Sequence, residues 1–145
     1  MPIRSAQTTW RGGLQDGDGD VALASSGAAI FNVSFPRRAA EDAEGVTSPE
    51  ELIAAAHSAC FAMQLSAMIA RAGGTPESLD VKADVELAPD PAGGFRILGI
   101  VLTVRATLSG LDGEAFAAVA EDAKRQCPVS KALTGTTITL DAALV

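Results

Sequence analysis

PEELIAAAHSACFAMQLSAMI, residues 49–69, is the stretch whose reading decides the fold. Ser48 stands before it as an N-cap, with Pro49 at N1, Glu50 at N2 and Glu51 at N3, the pattern of a capping box at a helix start. Neither glycine nor a further proline interrupts it before Gly73-Gly74, so a helix is expected over 48–72. Residues 52–70 are apolar or small nearly all the way round. A helix lying on one sheet needs only an apolar stripe, so both faces of this one need cover. The remainder of a 145-residue chain covers one side. A second copy of the chain covers the other most simply, which predicts a homodimer with this helix at its centre.

Working outward, residues 6–36 read as a β-meander: AQTTWRGGL, a DGDGD turn, VALASS and GAAIFNVSF. DGDGD resembles the start of a calcium loop, but Val21 occupies the place of the required glycine and Gly27 that of the bidentate glutamate. Residues 37–47 carry charge without period and form a loop. Beyond the helix, LDVKADVELAP and FRILGIVLTVRATLSG alternate around DPAGG, giving a hairpin over 79–109. Residues 111–145 hold a second helix that breaks at Cys127-Pro128, then a closing strand. The expected fold class is α+β: antiparallel sheets around central helices, as a single domain over 1–145 with its meander and loop in 1–47.

Composition narrows the partners. The chain has 11 Lys and Arg against 18 Asp and Glu, a net charge of -7, which repels a phosphate backbone. No nucleic acid is expected. The N-terminal residues MPIRSAQTTWRGG show no apolar core or cleavage site of a signal peptide, so a cytoplasmic protein is expected. His57, Ser58, Gln64 and Ser66 interrupt the apolar run, and no membrane span is expected. Between the two cysteines lie 66 residues, which excludes a CxxC motif; in a reducing compartment such thiols are catalytic or buried rather than a structural staple. One His and two Cys do not furnish a four-ligand zinc site, so no metal is expected.

A reactive Cys60 needs a cation or donors to lower its pKa, because apolar burial raises it. Arg37 and Arg38, in the loop before the helix, are the nearest candidates. Glu51 has capping duty while Glu50 does not, and a carboxylate helps a thiolate only by holding an arginine. Ten residues of helix, about 15 Å, separate Glu50 from Cys60. If both serve one site, the Glu50 involved should therefore belong to the other subunit. His57, one turn before Cys60, is expected to pack and hydrogen-bond rather than act as a base. Met63 and Met68 are expected in the core.

TSPEELIAAAHSACFAMQLS resembles the helix motif of the OsmC/Ohr family, the osmotically inducible and organic hydroperoxide resistance proteins, and QCPVSKAL resembles its second cysteine motif. The His three residues before the first cysteine and the Pro-Val-Ser after the second are similar to the OsmC branch. The resemblance implies an intertwined homodimer of the OsmC-like fold with active sites at the interface. It implies a thiol-dependent peroxidase that reduces organic hydroperoxides, and hydrogen peroxide less well. By position, Cys60 would be the peroxidatic cysteine, Cys127 the resolving cysteine, and Glu50 the carboxylate orienting a thiolate-activating arginine, which is Arg38 or, less well matched, Arg37. No bound cofactor is implied. The disulfide would be recycled by an external dithiol, a dihydrolipoyl group on a carrier protein. Closure of a Cys60–Cys127 disulfide would bring the end of the second helix against the first. An apolar wall of alanines, Met63, Phe61 and partner residues would favour alkyl substrates. The competing reading is a non-catalytic thiol redox sensor or ligand-binding dimer; such sensors usually carry an output element, and neither a DNA-binding helix pair nor a basic patch is evident.

Overall fold

The computed structural model describes residues 1–145, which pack as two compact units, Met1–Leu52 and Ile53–Val145. In the first, β1 (Gln7–Arg11), β2 (Asp18–Ala22) and β3 (Ile30–Val33) form an antiparallel meander in the order β1-β2-β3. The last three residues of the expected DGDGD turn, Asp18–Asp20, lie in β2. Two interactions draw them in. Arg11 pairs with both Asp18, at 3.3 Å, and Asp20, at 2.8 Å, so these carboxylates serve the strand pair. Opposite Trp10 stands Gly19, where a Cβ would come within 3.0 Å of the indole. The reversal itself falls on Gly12–Gly17, and a Cβ at Gly17 would lie 2.4 Å from the carbonyls of Arg11 and Gly13. One helical turn, α1 (Phe35–Arg38), entered through Pro36, straddles the end of the expected meander and the start of the loop expected over 37–47.

Helix α2 runs over Pro49–Arg71, within a residue of its expected limits. At its start the Glu51 amide donates to Ser48 Oγ at 3.1 Å, the expected N-cap. The Glu51 carboxylate departs from the capping-box expectation: it accepts from the Thr47 hydroxyl instead of reaching the Ser48 amide. At its end Gly74 N donates to Ile69 O and Gly73 N to Ala70 O, with Gly73 at φ +90°, a Schellman closure that only glycine enters without strain.

The second unit adds β4 (Thr75–Pro89), β5 (Phe95–Ser109), α3 (Gly113–Gln126), α4 (Pro128–Ala132) and β6 (Thr137–Leu144). The β4–β5 hairpin is antiparallel as expected, but β6 joins β5 in parallel, so this sheet is mixed. The reason is the connection. Parallel neighbours need a crossover, and α3 and α4 supply it between β5 and β6. Asp112 caps α3 by accepting from the Ala115 amide at 2.8 Å. Cys127 ends α3 with ψ 122°, the extended conformation imposed by Pro128, and α4 begins at once.

Alternation places Ile100, Leu102, Val104 and Ala106 of β5 on one buried face. Phe61, Leu65 and Ile69 of α2 and Phe116, Ala120 and Ala123 of α3 form one core cluster with Leu102, Val104 and Ala106. In length and composition α2 would suffice to cross a membrane, but its stripe His57, Phe61, Leu65, Ile69 is buried within protein. The opposite face, with Ala55, Ala59, Met63 and Ala67, is exposed. Two side-chain expectations are thereby corrected. Met63, expected in the core, is 70% exposed, and Phe61, expected on a substrate wall, is fully buried. The two lie about 200° apart on the helix, so they cannot share a face. Met68 packs at the edge of the core. Truncating fully buried Leu65 to alanine is expected to cost about 2–5 kcal/mol, read as a lowered urea midpoint.

Candidate active site

Within the second unit, the two cysteines meet. Helix α2 presents Cys60 one residue before the buried Phe61, leaving its side chain half-buried, while Cys127 is fully buried at the α3–α4 break. Both are free thiols, and the Cys127 thiol donates to Cys60 Sγ at 3.3 Å. A disulfide requires about 2.05 Å, so bond formation needs an approach of roughly 1.2 Å. Burial pushes the Cys60 thiol up from its usual pKa, and the hydrogen bond with Cys127 adds to the rise; a hydrogen bond from the Val129 backbone pulls the other way. The net direction is upward. Within the second unit the groups acting on it are the Cys127 thiol and the Val129 backbone.

One turn before Cys60, His57 is fully buried, and its Nε2 lies 2.8 Å from Ser130 Oγ. Burial lowers the imidazole pKa and favours the neutral ring. Its Nδ1 has no hydrogen-bond partner. His57 therefore packs and bonds, as its position suggested. Sequence reasoning missed its partner Ser130 and the Val129 amide. A signal existed: Ser130 follows Cys127 by three residues as His57 precedes Cys60 by three.

In the first unit, Arg38 leaves α1 and meets Glu50 in the first turn of α2. Arg38 Nε donates to Oε1 and Oε2 of Glu50 at 3.2 and 3.1 Å, and Nη2 donates to Oε1 at 2.7 Å. Glu50 is buried, 7% exposed. Burial works to raise its carboxyl pKa, but the hydrogen bonds from Arg38, assisted by backbone and Ser48 donors, prevail and hold it below the usual value. The same bond holds Arg38 further into its charged form, against burial. Arg37 is engaged elsewhere, 2.6 Å from Glu44. Of the two candidate arginines, only Arg38 is held by Glu50, and it is held by the Glu50 of its own chain. Arg38 also lines an apolar cavity of about 350 Å³ with Trp10, Leu14, Val21, Val33 and Phe35.

A half-buried thiol touching a buried one, with a carboxylate-held guanidinium in the same chain, matches the chemistry that the sequence motifs suggested. A profile of the OsmC-like protein family matches residues 42–141. The chain is 41% identical over 138 residues to peroxiredoxin OsmC of Escherichia coli strain K12, covering 95% of this chain and 94% of that protein. It is 30% identical over 107 residues to organic hydroperoxide resistance protein-like 2 of Staphylococcus epidermidis, 73% of each. The crystal structure of the organic hydroperoxide resistance protein OhrB of Bacillus subtilis superimposes with a TM-score of 0.73 at 30% identity, over 95% of this chain and 97% of that one. This chain belongs to the OsmC-like protein family and is a peroxiredoxin-like enzyme.

Proposed function

We propose that the protein reduces organic hydroperoxides to alcohols with Cys60 as peroxidatic and Cys127 as resolving thiol. The Sγ–Sγ separation of 3.3 Å is the observation that carries this reading. The Cys60 thiolate attacks the O–O bond, the alcohol departs, and sulfur is left as a sulfenic acid. Cys127 sulfur then attacks Cys60 sulfur; the S–S bond forms as the S–O bond breaks, and the hydroxyl leaves as water with the thiol proton. An external dithiol, of dihydrolipoyl type, reduces the disulfide by exchange in the cytoplasm. No bound cofactor takes part.

The thiolate needs a cation that its own surroundings lack. In this reading it is Arg38 of a second subunit, brought with its own Glu50 as one rigid group. One feature supports a dimer: the exposed Ala55–Ala59–Met63–Ala67 face of α2. Two copies related by a two-fold axis would then hold two such sites. Met63 and the alanines of this face would meet the alkyl part of the substrate, whose apolar contact favours it over hydrogen peroxide.

Turnover of cumene hydroperoxide with dihydrolipoamide is the test. Many equivalents reduced per Cys60 are expected, with hydrogen peroxide consumed more slowly. Consumption that stops at one equivalent with dihydrolipoamide in excess would instead identify a sensor.

A further inference from the structure

The hydrogen bond between His57 and Ser130 has no part in the steps above, yet it joins the two elements that carry the cysteines. His57 lies three residues before Cys60 on α2, and Ser130 lies three residues after Cys127 in α4. Their polar atoms meet at 2.8 Å, with His57 fully buried and Ser130 6% exposed. The two elements it joins also pack on the apolar core: Phe61 of α2 and Cys127 before α4 belong to it, and Val129 of α4 packs against it. Apolar burial is non-directional and lets one surface slide over another. A hydrogen bond inside such surroundings is directional, and breaking it strands two buried polar groups. His57 has no second bond to retain it, since Nδ1 is unpartnered.

We propose that His57 and Ser130 are positioning residues that hold Cys127 sulfur in reach of Cys60. This rests on the peroxidase reading for its purpose but not for its measurement. The competing fate of the Cys60 sulfenic acid is a second hydroperoxide, which transfers another oxygen to give the sulfinic acid and an alcohol. That step needs a free peroxide molecule, whereas condensation needs only the neighbouring thiol. Holding the two sulfurs together therefore protects Cys60 from loss.

The test compares the wild-type protein with Ser130→Ala, Ser130→Thr and His57→Gln. The first measurement needs no peroxide. Each protein is equilibrated in a glutathione redox buffer, and the Cys60–Cys127 disulfide is quantified by mass spectrometry. Ser130→Ala removes one oxygen and leaves the apolar contacts, and is expected to lower the disulfide equilibrium constant at least tenfold, a shift of about 30 mV toward easier reduction. Ser130→Thr keeps the hydroxyl and His57→Gln keeps a side-chain partner for it, so both are expected within threefold of wild type. The second measurement is the sulfinic acid formed at Cys60 under a fixed excess of cumene hydroperoxide, expected to rise in Ser130→Ala alone. An unchanged equilibrium constant in Ser130→Ala, or an equal loss in Ser130→Thr, would overturn the proposal, the latter by assigning the effect to packing. A wild-type protein inert to cumene hydroperoxide yet displaced by Ser130→Ala in the glutathione buffer would sink the peroxidase reading and leave the positioning role standing.

Discussion

Cys60→Ser is expected to reduce cumene hydroperoxide no faster than buffer, whereas Cys127→Ser is expected to complete one turnover and stop as a sulfenic acid. Removing the nucleophile from a catalytic group in other enzymes costs on the order of 10⁶ in rate. A hydroxyl cannot replace a thiolate here, since it is not ionised and does not pass through the sulfenic state. The two cysteines differ in access: Cys60 is half-buried and Cys127 is fully buried. A peroxide therefore meets position 60 first, and position 127 enters only after oxidation. The roles are separable by trapping. Dimedone should label position 60 stoichiometrically in Cys127→Ser, and position 127 should stay unlabelled in Cys60→Ser. Turnover surviving in Cys60→Ser would remove the assignment altogether.

Arg38→Ala is expected to lower the rate constant at pH 7 by about 10²–10³, the cost seen when one preorganised donor is removed from a developing anion. The physical source is the ionisation of Cys60. Burial and the neighbouring Cys127 thiol hold this thiol above its usual pKa, and a positive group close by would reverse that. Without the guanidinium the thiol pKa rises, so at pH 7 only a small fraction is thiolate. Below the raised pKa the rate should climb about tenfold per pH unit, because the thiolate fraction does. The wild-type profile should already be flat at neutral pH. Arg37→Ala should react as wild type, since Arg37 pairs with exposed Glu44 rather than with Glu50. If Arg37→Ala collapses and Arg38→Ala does not, the activating role passes to Arg37.

Helix α2 was legible because its signals are local. Ser48 at the cap, an apolar run and the Gly73-Gly74 closure act within a few residues of one another. The hairpin was legible for the same reason, as alternation and the DPAGG turn pin its register. The meander was less so: β2 begins inside DGDGD because Arg11 reaches across to Asp18 and Asp20, a choice made between strands. The direction of β6 was not legible either, since a strand's own pattern is the same whether its neighbour runs with it or against it.

At the site, the sequence by itself determined the ingredients: a cysteine on an apolar helix, another before a proline, and a glutamate left free by the helix cap. Only the tertiary structure decided the pairings. It set Cys127 beside Cys60, chose Arg38 over Arg37 for Glu50, and joined His57 to Ser130 across 73 positions. It also sent Phe61 inward and Met63 outward, although both read as apolar residues of one run. Caps, turns and periodicity act over one or two turns of backbone and are written in neighbouring residues. Which side chains meet after the chain doubles back depends on how whole faces pack, and no short stretch of sequence carries that information.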